Sequence, residues 1–159
     1  MSTLLIQGCS KSKNRVTEPT PAIELYAGYF FKIIKKSIRD GEITEDCDIC
    51  ILSAEYGIVD ANVPIDPYDR RMDTERAREL ASPVSKTLCQ KYDGSYDRIV
   101  FNLGKTYRIA MNEFVEQSST SLYQVDGAGI GEKGHVLKRF LRGDDSMITQ
   151  YELTAPASD

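Results

Sequence analysis

Ile49, Cys50, Ile51 and Leu52 form a near-continuous apolar run that stops abruptly at Ser53. A strand with apolar side chains on both sides of its pleat needs cover on both faces, which is the condition of a parallel sheet flanked by helices. Further strands are expected where Leu4, Leu5 and Ile6 open a short apolar run, from Arg98 towards Gly104, and from Leu122 to Val125. Segments of helical period lie between them. Strands that alternate with helices imply right-handed crossovers, so the expected fold is a three-layer α/β/α sandwich around a mainly parallel four-stranded sheet.

The helices have their own signals. Thr20 and Pro21 read as a cap and first-turn proline, and Ile23, Tyr26, Phe30, Ile33 and Ile34 recur at helical spacing until Gly41, which predicts one core-packing helix. Asp73 or Thr74 caps a second helix through Leu80, Val84 and Leu88, which Pro83 is expected to bend or divide, with Glu75, Arg76, Arg78 and Glu79 on its outer face. A third runs from about Lys105 to Val115, and a last one turns Val136, Leu137, Phe140 and Leu141 inward. The reading gives a single domain over residues 1–143 and a tail over 144–159, mobile beyond Leu153.

At 159 residues the chain is long enough to bury a substantial core without disulfides or metals. Lys and Arg number 20 against 24 Asp and Glu, a net charge of −4, so the field of the whole chain does not attract a polyanion and only a local cluster of cations can. No apolar run approaches the roughly 20 residues of a membrane span, and the first residues lack a signal-peptide layout, which places the chain in the cytoplasm, away from membranes. Its four cysteines are accordingly expected to be reduced thiols. Cys47 and Cys50 point to opposite faces of a strand, no second pair follows, and His135 is the one histidine, so neither metal nor cofactor is expected.

Ligands of open α/β sheets sit beyond the carboxyl ends of the strands. Four loops belong there: Gly8 to Lys13, Ser53 to Arg71, Asn102 to Lys105 and Asp126 to Gly131. The first offers backbone N–H groups and the ammonium groups of Lys11 and Lys13 to a phosphate, around Gly8, Cys9 and Ser10, although it has neither P-loop nor dinucleotide-binding spacing. Arg70, Arg71 and Lys105 are further phosphate candidates, and Gly129 and Gly131 form a potential anion nest before the last helix. A solvated charge cluster on a well-made turn accounts equally for residues 51–72, and a plain tight turn for the glycines.

The segments GCSKSK, AIELYAGYFF, ILSAEYGIVDANVPIDPYDRRM and GAGIGEKGHVLKRF, in that order, resemble a family of small uncharacterised bacterial, archaeal and phage proteins. SAEYGIVDANVPIDPYDRRM is also similar to a stretch of YaaA-type peroxide-stress proteins, which are associated with DNA binding. A comparable layout occurs in an accessory domain of archaeal tRNA-guanine transglycosylases. The likeness runs from about Leu5 to Phe140. Through RIVFNLGKTYRIA it extends to the uracil-DNA glycosylase-like superfamily, whose water-activating motif after the first strand and His-Pro-Ser motif after the fourth are both absent here. Asp66-Pro67-Tyr68-Asp69 echoes the former but follows the second strand.

The resemblance implies nucleobase chemistry and assigns no catalytic residue. Its most concrete form is a DNA glycosylase acting on a flipped, modified base, with DNA favoured over RNA and the oligomeric state left open. Such a reaction needs a stacking face, groups that read the base edge, a carboxylate and phosphate donors. Tyr56 or Tyr68 would stack, and Ser53 or Asn102 would read the edge. Asp69 is the first candidate carboxylate, ahead of Asp66, Glu55 and Asp126, and His135 would support the leaving base. The alternative is a non-catalytic DNA- or nucleotide-binding protein that uses the same cleft.

Overall fold

The computed structural model describes residues 2–44, 46–92 and 94–151. Strand β1 (Thr3–Gly8) is buried along its whole length, as its apolar run requires. It is followed by β2 (Thr20–Pro21), the single turn α1 (Ala22–Leu25) and helix α2 (Tyr29–Arg39). The one helix expected here is therefore two. Tyr26 is extended and bridges to Lys13, the Asn14 N–H donates to the Leu25 carbonyl, and the Ala27 N–H donates to the Ser12 carbonyl. The loop after β1 supplies partners to the backbone groups that the break leaves without helical ones. Gly28 starts α2 against this loop: a Cβ there would lie 2.6 Å from the Ser10 Cβ.

Strand β3 (Cys47–Ser53) leads to β4 (Gly57–Asp60) and β5 (Pro64–Ile65), and Asp73 caps α3 (Thr74–Lys91) by accepting the Arg76 N–H at 2.7 Å. Pro83 neither ends nor divides α3. It sits on the exposed side, where water can serve the carbonyl left without its N–H. Then come β6 (Arg98–Asn102), the short helices α4 (Lys105–Ile109) and α5 (Asn112–Gln117), β7 (Ser121–Gln124), α6 (Ile130–Leu141) and β8 (Thr149–Gln150). The helix expected from Lys105 breaks at Ala110 and Met111, both fully buried, so that Phe114 also reaches the core.

The protein is mixed α/β with a six-stranded, mostly parallel sheet in the order β4-β3-β1-β6-β7-β8. The four inner strands are parallel and are the four expected from sequence; β4 and β8 add an antiparallel edge on each side. Residues 144–151, read as the start of a tail, return to the sheet through β8, and Tyr151 packs edge-on against Phe101 at 5.0 Å. The mobility expected beyond Leu153 lies outside the described residues. Among the described residues, no helix is long and apolar enough to cross a membrane.

Alternation along each strand divides the core. Leu4, Ile6, Leu52, Ile99 and Phe101 pack with Leu80, Val84, Leu88 and Phe114 of α3 and α5. Leu5, Ile51, Val100 and Val125 pack with Leu25, Phe31, Ile34 and Leu137 of α1, α2 and α6. Burial of each such side chain contributes about 1.5–3 kcal/mol. Helices α2 and α6 approach closely because Gly134 has no side chain; a Cβ there would lie 2.5 Å from the Tyr29 hydroxyl. The chain leaves β1 towards the α1–α2 face and leaves β6 towards the α4–α5 face. These neighbouring parallel strands thus open a crevice between their carboxyl ends.

Candidate functional site

That crevice holds a cleft of about 560 Å³ with three walls. Cys9, Ser10, Lys11 and Lys13 come from the loop after β1, Gly104 to Tyr107 from the start of α4, and Asp69 to Met72 from the strap that leads into α3. Of the four loops expected to meet, three do. The strand ends beneath are joined by side chains: Asn102 Nδ2 donates to Gln7 Oε1 at 2.8 Å, and Gln7 Nε2 donates to the Gly8 carbonyl at 3.2 Å. Asn102, expected to read a base edge, is only 4% exposed and ties two strands together.

Tyr107 closes the α4 wall. Its hydroxyl donates to the Cys9 carbonyl at 3.0 Å and lies 3.2 Å from Cys9 Sγ, so the thiol is the donor in the second contact. Burial pushes the Tyr107 phenol pKa upwards. Gly8 makes room for this ring, since a Cβ there would lie 3.2 Å from Tyr107 Cδ2. Neither Cys9 nor Gly8 therefore acts as an isolated loop residue: one is a hydrogen-bonded wall, the other the space beside it.

The strap is held from below by hydroxyls. Ser53 Oγ accepts the N–H groups of Glu55 and Tyr56 at 3.2 and 3.1 Å, donates to the Tyr68 hydroxyl at 3.0 Å, and Tyr68 in turn lies 2.7 Å from the Tyr26 hydroxyl. Burial raises the pKa of both phenols, Tyr26 to about 12. Lys13 Nζ sits 4.5 Å from the Tyr68 ring centre, while the Tyr56 ring meets Tyr68 edge-on at 5.6 Å. Ser53 and Tyr68, expected to face a base, are thus parts of a half-buried hydroxyl chain that fixes the strap. Tyr56 is exposed outside the cleft lining, and its hydroxyl donates to the Asp66 carbonyl at 3.0 Å.

Arg76 fixes the turn from the other side. Its Nε donates to the Ala54 carbonyl at 2.7 Å and its Nη2 to the Glu55 carbonyl at 2.9 Å, so it is a clamp on the β3–β4 turn and not part of a solvated helix face. Helical spacing alone hides this, because a long guanidinium reaches past its own helix.

The charged groups separate into committed and uncommitted ones. Arg70 pairs with Glu55 at 3.0 Å and approaches Glu79 at 3.6 Å. Asp69, Lys11, Arg71 and Lys105 line the cleft without a hydrogen bond or ion pair to a side chain among the described residues, and Lys13 has only its aromatic neighbours. Asp66 is exposed and lies off the cleft lining.

The fourth loop stands apart. Asp126 borders a separate open depression of about 480 Å³ with Gly127, Ala128 and Glu132. Its glycine turn answers its own carboxylates: Glu132 Oε2 accepts the Ala128 N–H at 3.0 Å and Asp126 Oδ1 accepts the Gly127 N–H at 2.9 Å. Gly129 and Gly131 flank the start of α6 there, and His135 is exposed on that helix; none of the three lines the cleft. Among the described residues, no three His, Cys, Asp or Glu side chains gather where they could hold a metal ion. Thr106, Tyr107 and Met72 are lining residues that the sequence reading missed; the signal for Thr106 and Tyr107 was their place in the first turn after a strand end.

Fold and cleft together define an α/β protein whose uncommitted cations meet where two parallel strands part. The chain belongs to the Family of unknown function (DUF6884), whose model matches residues 4–139. A search of curated proteins finds no match. Among solved structures, "Crystal structure of AF0587, a protein of unknown function" is similar with a TM-score of 0.49 and 14% identity. The alignment covers 87% of this chain and 44% of that one, so this chain spans less than half of that protein's length.

Proposed function

We propose that the cleft binds the phosphates of a nucleic acid, with DNA as the favoured form. One observation carries the reading. Lys11, Lys13, Arg71 and Lys105 converge from three loops on one concavity with no carboxylate partner among the described residues, in a chain of net charge −4. Four cations that repel one another, with Asp69 as the one unpaired carboxylate among them, leave an excess of positive charge that an anion stabilises, and backbone phosphates supply several charges at once. The resemblance of SAEYGIVDANVPIDPYDRRM to YaaA-type proteins supports DNA over RNA. The test is fluorescence anisotropy with a labelled 12-nucleotide DNA strand and its duplex at low salt. Saturable binding that weakens in K105Q and R71Q is expected, and absence of binding overturns the reading.

A second reading, hydrolysis of the N-glycosidic bond of an extruded base, is favoured by Asp69, a carboxylate on the same cleft with no partner of its own. It would stabilise the sugar cation or activate water while the base leaves. The uracil-DNA glycosylase-like likeness of the RIVFNLGKTYRIA segment supports it. Since Ser53, Tyr68 and Asn102 are engaged internally, and the Ser10 hydroxyl donates to the Ser12 carbonyl and accepts the Gly28 N–H, recognition of the base would fall to cleft groups such as Thr106. Mass-spectrometric detection of free bases from DNAs with natural modifications, lost in D69N while affinity survives, is the expected outcome. Binding without any base release leaves the first reading alone.

A further inference from the structure

Arg70 differs from the other cations of the cleft because it is already occupied. Its Nη1 lies 3.0 Å from Glu55 Oε1 and its Nη2 3.6 Å from Glu79 Oε1, yet the residue lines the same cavity as Arg71, its neighbour in sequence. Both carboxylates are solvated, with side-chain exposures of 35% for Glu55 and 50% for Glu79. An ion pair this open is weakly held, because water accepts either partner readily. Glu79 moreover has a second partner in Arg76 at 3.2 Å, so departure of Arg70 leaves only Glu55 to be rehydrated.

On the phosphate-binding reading above, we infer that Glu55 is an internal stand-in for the ligand: its carboxylate holds Arg70 at the cleft wall until an incoming phosphodiester displaces it and takes the guanidinium. A bidentate guanidinium matches carboxylate and phosphate equally well in shape, so the exchange needs no new geometry beyond rotation of the Arg70 side chain. The ligand class follows. Arg71 serves one phosphate without any exchange, and Arg70 is recruited by the next, so a strand with successive phosphates gains what a single phosphate does not.

The test is a double-mutant cycle on affinity for the labelled 12-nucleotide DNA strand. The Glu55 backbone makes the turn contacts, its N–H to Ser53 Oγ and its carbonyl to Arg76, so E55Q keeps the local structure. E55Q is expected to bind about threefold tighter than wild type, in keeping with the strength of an exposed pair. In an R70Q background the same change is expected to give no gain. A gain of equal size in both backgrounds would mean a general charge effect and overturn the inference, as would no gain in wild type. Should wild type, R71Q and K105Q all fail to bind, the phosphate-binding reading itself falls; normal binding with no E55Q effect sinks only the exchange.

Discussion

The Cys9 thiol and the Tyr107 hydroxyl lie 3.2 Å apart, joining the loop after β1 to the first turn after β6 across the mouth of the crevice. Because the phenol proton goes to the Cys9 carbonyl, the thiol proton goes to the phenol oxygen. Y107F removes the acceptor and one wall contact while the ring stays over Gly8. The expected result is faster reaction of Cys9 with a disulfide reagent, together with little change in the melting transition; an unchanged rate would mean that the contact does not restrain the thiol.

The Ser53–Tyr68–Tyr26 chain is expected to be a stability element. Y68F leaves the ring in place and strips a half-buried network of its middle member, at a cost of about 1–2 kcal/mol in urea unfolding. The chain also sets an alkaline limit. Burial holds the Tyr26 pKa at about 12, above its ordinary 10.0, so the folded state keeps this proton when the unfolded state loses it. The associated stability is complete below the unfolded pKa and disappears as pH rises through the folded one, a loss of roughly 2–3 kcal/mol. Urea midpoints from pH 9 to 11 should fall more steeply for wild type than for Y26F, and parallel slopes would contradict the assignment.

Arg76 should matter more than its place on a charged helix face implies. R76A deletes two charge-assisted bonds to the Ala54 and Glu55 carbonyls, and the expected destabilisation is about 1.5–3 kcal/mol. R78A, on the same helix at an exposed position, should change stability by less than about 0.5 kcal/mol. Equal effects in chemical denaturation would show that Arg76 is ordinary surface.

The inner sheet was legible because its strands carry apolar residues on both faces: Leu4 to Ile6 and Ile49 to Leu52 admit few other environments. The edges were not. Gly57–Asp60 and Thr149–Gln150 are short, and what makes them strands is pairing with β3 and β7 rather than any period of their own. Lys11, Lys13, Asp69, Arg71 and Lys105 came together because strand ends share one rim, a consequence of topology. Ser53, Tyr68 and Asn102 lie at that rim too, but whether a polar group faces a ligand or a buried neighbour depends on partners far away in sequence. Gln7 is 95 residues from Asn102 and Tyr26 is 42 from Tyr68.

The most direct measurement is the salt dependence of affinity for the 12-nucleotide DNA strand. If Lys11, Lys13, Arg71 and Lys105 each neutralise a phosphate, the logarithm of affinity should fall with the logarithm of salt at a slope of about −3, and K105Q and R71Q should each flatten it by about 0.7. A slope near zero, or variants that keep the wild-type slope, would show that the cleft does not hold the phosphates.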